Sequence, residues 1–183
     1  MRRLFFLLYF VAGPLLHASW APALAAQVRE TPVVPYGGIY RIPEATVTPD
    51  PDLEYRLVVD VMTGSSAPDS LGMGLYNVAR MLNLFSVGGI PAKRLDVVLA
   101  IHGEATVGIM DNAHYRERFG VDNPNLPLIR SLKSAGVKLT VCGQSLLGRG
   151  VPIESITPEV EIATSMLTTV AMYEMRGYGL LRF

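Results

Sequence analysis

Cysteine is all but absent from this 183-residue chain, which holds a single one, Cys142. No intramolecular disulfide can form, so the fold must rest on its apolar core. Basic charge shows no surplus: 16 Lys and Arg stand against 16 Asp and Glu. A nucleic-acid binder would carry an excess of basic side chains to meet phosphates, so no nucleic-acid partner is expected. Histidine is scarce, and no spacing of His with Cys142 and a carboxylate marks a zinc site, so no metal is expected. The apolar run from Leu4 to Leu16 is broken by Gly13 and Pro14, and falls short of the roughly 20 residues that a bilayer span needs. Gly64, Gly72, Gly74 and Gly103 do not make a dinucleotide fingerprint or a Walker loop, and no cofactor is expected. Ser145 misses the G-x-S-x-G nucleophile elbow because Leu147 takes the place of its last glycine.

What is present begins with a leader. Arg2 and Arg3, the apolar run and the small-residue sequence Ala23-Leu24-Ala25 read as a secretory signal peptide over residues 1–25, cleaved after Ala25. Its removal takes away two arginines and no acid, leaving 158 residues with 14 basic and 16 acidic side chains, and without Trp20. The mature chain is expected to be one soluble, periplasmic domain, free of the membrane once the signal is gone.

Residues 26–52 carry Pro32, Pro35, Pro43, Pro49, Pro51 and the pair Gly37-Gly38, with little periodicity. Proline removes backbone donors and favours extended chain, so this is an N-terminal arm. It is either a passive linker or a strap that packs on its own domain or a neighbouring subunit, for which Val33, Val34, Tyr36, Ile39, Tyr40 and Ile42 would be the anchors.

From residue 53 to 183 the pattern becomes regular. Leu57 to Met62, Leu95 to Ile101 and Val137 to Val141 are short apolar, β-branched runs that end in turns, and read as buried strands. Asp69 or Ser70 can cap a helix with Leu71, Leu75, Val78, Leu82 and Phe85 on one face, ended by Gly88-Gly89. Asp111 to Phe119 has helical character. Asn125 and Pro127 open another helix that Gly136 stops. A short strand at Val160 to Ala163, a helix from Ser165 to Met175 and a strand at Tyr178 to Arg182 complete the pattern. Strands alternating with helices predict an α/β fold with a mainly parallel sheet of about five strands.

Ligands of such sheets collect beyond the carboxyl ends of the strands. That edge holds Thr63 to Ser66, then His102 and Gly103, then Cys142, Gly143, Gln144 and Ser145. Unpaired N–H groups in the turn after Cys142 would favour its thiolate, the nucleophilic form, and Arg149 could add positive charge. A free cysteine is equally at home as a small, buried apolar side chain, and both readings stand. His102 is a candidate proton acceptor or ion-pair partner for the thiol, with a histidine satisfied by backbone carbonyls as the alternative. His114, beside Tyr115, reads as a surface or packing residue. Asn123, in Asn123-Pro124-Asn125, is mainly a turn residue whose amide could orient a ligand. The methionines read as core filling.

The segments Val141-Cys142-Gly143-Gln144-Ser145-Leu146 with Arg149-Gly150, Leu99 to Gly103, Asn123-Pro124-Asn125 and Arg176-Gly177-Tyr178 together resemble the DsrE family of small sulfur-relay proteins, in particular exported single-domain members. The resemblance covers residues 54 to 183, with a looser likeness in the arm. It implies a flavodoxin-like three-layer domain that assembles into homo-oligomers, commonly trimers or hexamers. It also implies that the cysteine at 142 accepts sulfane sulfur as a persulfide and passes it to an acceptor protein. Relay members are typically cytoplasmic, whereas this chain carries an export signal. With no second cysteine, any transfer must be intermolecular.

Two functions follow as expectations. The first is a periplasmic sulfur carrier or sulfurtransferase-like protein, with Cys142 as acceptor, His102 or Arg149 assisting, and Gly103, Gly143, Gln144, Ser145 and Asn123 lining the site. The rival is a non-catalytic oligomeric module that binds a small molecule or a protein, in which Cys142 is structural and the arm matters for assembly.

Overall fold

Val58, Val59, Val61, Val97, Val98 and Ile101 are β-branched and buried, side chains that suit a pleated surface covered on both sides. In the computed structural model, which describes residues 29–183, they build the centre of a five-stranded, wholly parallel sheet. The leader read at residues 1–25 lies outside the described residues. The strands are β1 (Tyr55–Val61), β2 (Leu95–Ile101), β3 (Lys138–Cys142), β4 (Glu161–Ala163) and β5 (Gly179–Arg182), in the order β4-β3-β2-β1-β5. The helices are α1 (Met73–Val87), α2 (Asn112–Phe119), α3 (Leu126–Ser134), α4 (Gly143–Gly148) and α5 (Met166–Met175). The chain steps outward from β1 to β4, then returns through α5 to place β5 on the other side of β1. The direction of progression reverses at β1, the kind of point where α/β sheets open a crevice.

Alternation along the strands divides the core. Val59, Val61, Leu99, Ile101, Leu139 and Val141 pack against Leu75 and Leu82 of α1, Leu128, Ile129 and Leu132 of α3, and Leu146 of α4. Val58 and Val98 point to the opposite face, where Tyr173 of α5 covers them. The domain is thus a three-layer α/β arrangement, and among the described residues a single helix covers the second face.

Helix ends depart from expectation where long-range partners intervene. The first helix does not start on Asp69 or Ser70. Ser70 instead closes a local turn on Ala67, donating to its carbonyl at 2.8 Å. The N-cap position of α1 is Gly72, whose N–H goes to Asn125 Oδ1 at 2.7 Å, while the N–H groups of Met73 and Gly74 go to the carbonyls of Gly64 and Thr63. Asn125 does precede α3, but its side chain caps α1 and not its own helix. Asp111 caps α2 by accepting the His114 N–H at 2.9 Å.

Residues 30–40 of the arm pack on their own domain. Val34 and Ile39 are buried and Glu30 pairs with Ile39. Asn83 of α1 accepts the N–H groups of Val33 and Val34 at 2.9 and 3.1 Å, and donates to the carbonyls of Val34 and Tyr36 at 3.1 and 2.7 Å. Gly37, at φ +62°, passes so close that a Cβ would lie 2.1 Å from the Arg80 nitrogen. Only glycine combines that backbone with that approach.

Candidate functional site

The face of the sheet under α5 is apolar at its middle and polar toward the strand ends. The register aligns Arg182, Asp60, Ala100, Thr140 and Glu161 across β5, β1, β2, β3 and β4. Period-two alternation puts all five on the face that Val58 and Val98 occupy. One step further along the same face stand Met62, His102, Cys142 and Ala163. Cys142 pairs with Ala163, and His102 and Cys142 each follow directly on the paired residues Ile101 and Val141. Neighbouring strands run about 4.8 Å apart, so the chain's single thiol and His102 occupy adjacent positions on one face of the sheet.

Each is held by a different element. Cys142 ends β3 and stands at the N-cap position of α4. It is 5% exposed, and its Sγ lies 3.9 Å from Ser165 Oγ. Ser165 caps α5 by accepting the Leu167 N–H at 3.2 Å. His102 keeps extended backbone beyond β2, with its N–H on the Val61 carbonyl at 2.9 Å. Its Nε2 meets Asp60 Oδ1 at 2.5 Å, and the other carboxylate oxygen, Oδ2, accepts from Arg182 Nε at 2.8 Å. Asp60 is 3% exposed, whereas the Arg182 side chain is 67% exposed. A carboxylate so deeply buried must be answered by hydrogen bonds and opposite charge. Here one oxygen faces imidazole and the other guanidinium. Toward the opposite end of the same face, Tyr173 and Glu161 hold the Lys138 ammonium above its ordinary range.

The other residues predicted from the sequence fall into two groups. Gly103, Gly143, Gln144 and Ser145 do adjoin Cys142 and His102, but with mostly structural contacts. Gly103, at φ +57°, donates its N–H to Ser145 Oγ at 3.0 Å, and Ser145 Oγ also meets Thr106 Oγ1 at 2.8 Å. That hydroxyl ties α4 to the loop after β2. Gly143 lets the β4 backbone approach, since a Cβ there would lie 3.0 Å from the Ala163 carbonyl. Gln144 is exposed in the first turn of α4. Arg149 and Asn123 are placed elsewhere. Arg149 follows the far end of α4 and lines a cleft of about 240 Å³ with Ser65, Ser66, Glu104, Tyr115 and Phe119. Asn123 is buried and fully engaged: its Nδ2 donates to the Gly108 and Met110 carbonyls and its Oδ1 accepts from Asn125. Sequence reading had passed over Asp60, Arg182 and Ser165. A carboxylate inside an otherwise apolar strand was the available signal for Asp60.

A family model described as DsrE/DsrF-like matches residues 57–183. The chain belongs to the DsrE/DsrF-like family. This membership associates it, at family level, with sulfur relay. No curated protein matches the chain. Among solved structures, MTH1491, a protein of unknown function from Methanobacterium thermoautotrophicum, is 14% identical over 70% of this chain and 99% of its own, with a TM-score of 0.53. The ychN protein from E. coli is 18% identical over 70% of this chain and 99% of its own, with a TM-score of 0.47. At such identities the first likeness speaks to fold alone, and it agrees with the parallel five-stranded sheet. The family match runs from the third residue of β1 through β5, and so includes Asp60, His102, Cys142, Ser165 and Arg182.

Proposed function

We propose that this DsrE/DsrF-like protein carries sulfane sulfur as a persulfide on Cys142 and hands it to the thiol of an acceptor protein. The observation that carries the reading is the adjacency on one sheet face of its thiol and a histidine anchored to a buried carboxylate. The thiolate of Cys142 attacks the sulfane sulfur of a donor such as thiosulfate. A new S–S bond forms, the donor's S–S bond breaks, and sulfite departs with the electron pair. An acceptor thiolate then attacks the outer sulfur of the persulfide and Cys142 leaves as thiolate. Because the chain has no other cysteine, the second step joins two molecules. Residues 1–25 support export, which would place this exchange in the periplasm. The apolar exterior of α5 supports a homo-oligomer.

The burial of Cys142 favours a second reading, a non-catalytic binding module in which the thiol is packing. Intact mass separates the two. Mature protein exposed to thiosulfate or polysulfide is expected to gain whole sulfur atoms, reversibly with reductant, while Cys142→Ser gains none. A reduced, folded wild-type protein that gains nothing would leave the binding module as the account. Reaction with polysulfide no faster than that of free cysteine would equally rule out the carrier mechanism.

A further inference from the structure

Asp60 is the least expected residue of the molecule: a carboxylate in the middle of a buried strand, 3% exposed, gripped on both oxygens. Packing does not call for it, since a valine there would extend the apolar surface of Val58 and Val98. Resting on the reading of Cys142 as a nucleophile, we propose that Asp60 is a positioning residue for a Cys142–His102 pair, and that Arg182 orients Asp60. An ionised carboxylate only accepts, so His102 Nε2 carries the hydrogen in the bond to Asp60 Oδ1. In the neutral ring this leaves Nδ1 as the acceptor. Among the described residues no protein group bonds Nδ1, and no buried side-chain nitrogen or oxygen lacks a partner. The free nitrogen is therefore open to solvent or a substrate, on the side of the ring not held by Asp60.

The division of labour follows. His102 takes the proton of the Cys142 thiol, the imidazolium is stabilised by Asp60, and the thiolate attacks its electrophile. Arg182 acts at one remove. β5 lies three strands from β3, about 14 Å at the usual strand spacing, too far for the guanidinium to meet sulfur at Cys142. The other charged or titratable groups of this face are the Lys138–Glu161 pair, Asp96 with Tyr178 and Arg56, and Tyr173 of α5. Among the described residues only Asp60 bonds the imidazole.

The test is the rate of Cys142 alkylation by iodoacetamide from pH 5 to 10, followed by intact mass. In this reaction the proton leaves to His102, a C–S bond forms and iodide departs. Asp60→Asn and His102→Gln are each expected to slow alkylation at pH 7 by about tenfold, by analogy with the lower end of the loss when the carboxylate partner of a metal-bound histidine is removed. Both are expected to converge on wild type near pH 10, where the thiol ionises unaided, and Arg182→Gln to show a smaller loss. Folded Asp60→Asn with a profile that superimposes on wild type would overturn the proposal. Should that variant not fold, nitrogen-15 NMR of the wild-type imidazole decides: the Nε2–H tautomer is expected, and an Nδ1–H tautomer refutes it. The persulfide reading fails separately. Alkylation that depends on Asp60 in a protein that gains no sulfur from thiosulfate or polysulfide would keep the pair and discard the relay.

Discussion

Two polar side chains hold this molecule together where apolar contacts alone would not. Asn83 is buried within α1 and serves five backbone groups of the arm that lies 46 to 50 residues before it. Truncation leaves two N–H groups and three carbonyls without this partner, each worth about 1–3 kcal/mol if water cannot reach them. Because part of the arm is exposed and can rehydrate, Asn83→Ala is expected to lower stability by about 2–4 kcal/mol in urea unfolding. It should also open residues 30–40 to proteolysis, and a variant with unchanged midpoint and arm protection would show that Val34 and Ile39 suffice. Asp60 is the parallel case on the other face. Its partners His102 and Arg182 lie 42 and 122 residues away. This distance explains what a linear reading could and could not see. Cys142, His102 and Gly103 were legible because each ends a strand whose apolar pattern is local. Asp60, Arg182, Asn83 and Ser165 were not, since their roles come from pairs that only the strand register creates. Arg149 shows the converse failure: closeness in sequence to Cys142 suggested assistance, but the one and a half turns of α4 carry its guanidinium to another cleft.

Elements were legible to the extent that their hydrophobic period was undisturbed. β2 begins and ends where its apolar run does, and α5 spans the stretch read as a helix from Ser165 to Met175, with Ser165 as its N-cap. The start of α1 shifted to Gly72 because Asn125, 53 residues on, supplies a better acceptor than Ser70, which its own turn consumes. At α2 the cap is local and carries a pH signature. The His114 N–H, with lesser help from its imidazole, holds the Asp111 carboxyl below its ordinary value of 3.8. A depressed acid favours the fold in its ionised form, so the contribution is complete above about pH 4 and is lost as pH falls through the folded value. Asp111→Ala should cost about 1 kcal/mol at neutral pH, as N-cap losses do, and the gap from wild type should close on acidification. Asp111→Asn, which still accepts the N–H, should keep most of the cap and show no such closing. Chemical denaturation from pH 7 to 2 measures both. A gap that stays constant across that range would mean that the carboxylate charge contributes nothing to the cap.

At the scale of the whole molecule, the uneven coverage of the sheet becomes the main issue. Among the described residues one face carries most of the helices, whereas the other carries α5 alone, and α5 shows apolar side chains on its outer side as well as its inner one. Thr169 and Tyr173 point inward, yet Leu167 and Met175, 73% and 90% exposed, project from the opposite side with Ala171 between them. A helix hydrophobic on both sides normally lies inside a larger body. Leu180 of β5, also exposed and paired with Val58 on this face, extends the apolar surface to one flank. Covering Leu167 and Met175 would contribute about 1.5–3 kcal/mol for each side chain in each copy, repeated at every contact of a closed ring. The first turn of α5 is also where Ser165 meets Cys142, so copies seated there would wall the thiol from bulk water and leave access along the His102 side. The protein is accordingly expected to run as a homo-oligomer in light scattering coupled to gel filtration. The double variant Leu167→Glu, Met175→Glu should be a folded monomer whose Cys142 is alkylated faster. A monomeric wild type would remove the homo-oligomer and leave α5 free for a different protein. An oligomeric double variant would move the interface off α5, toward the groove that Leu84, Phe85, Pro49 and Phe183 line.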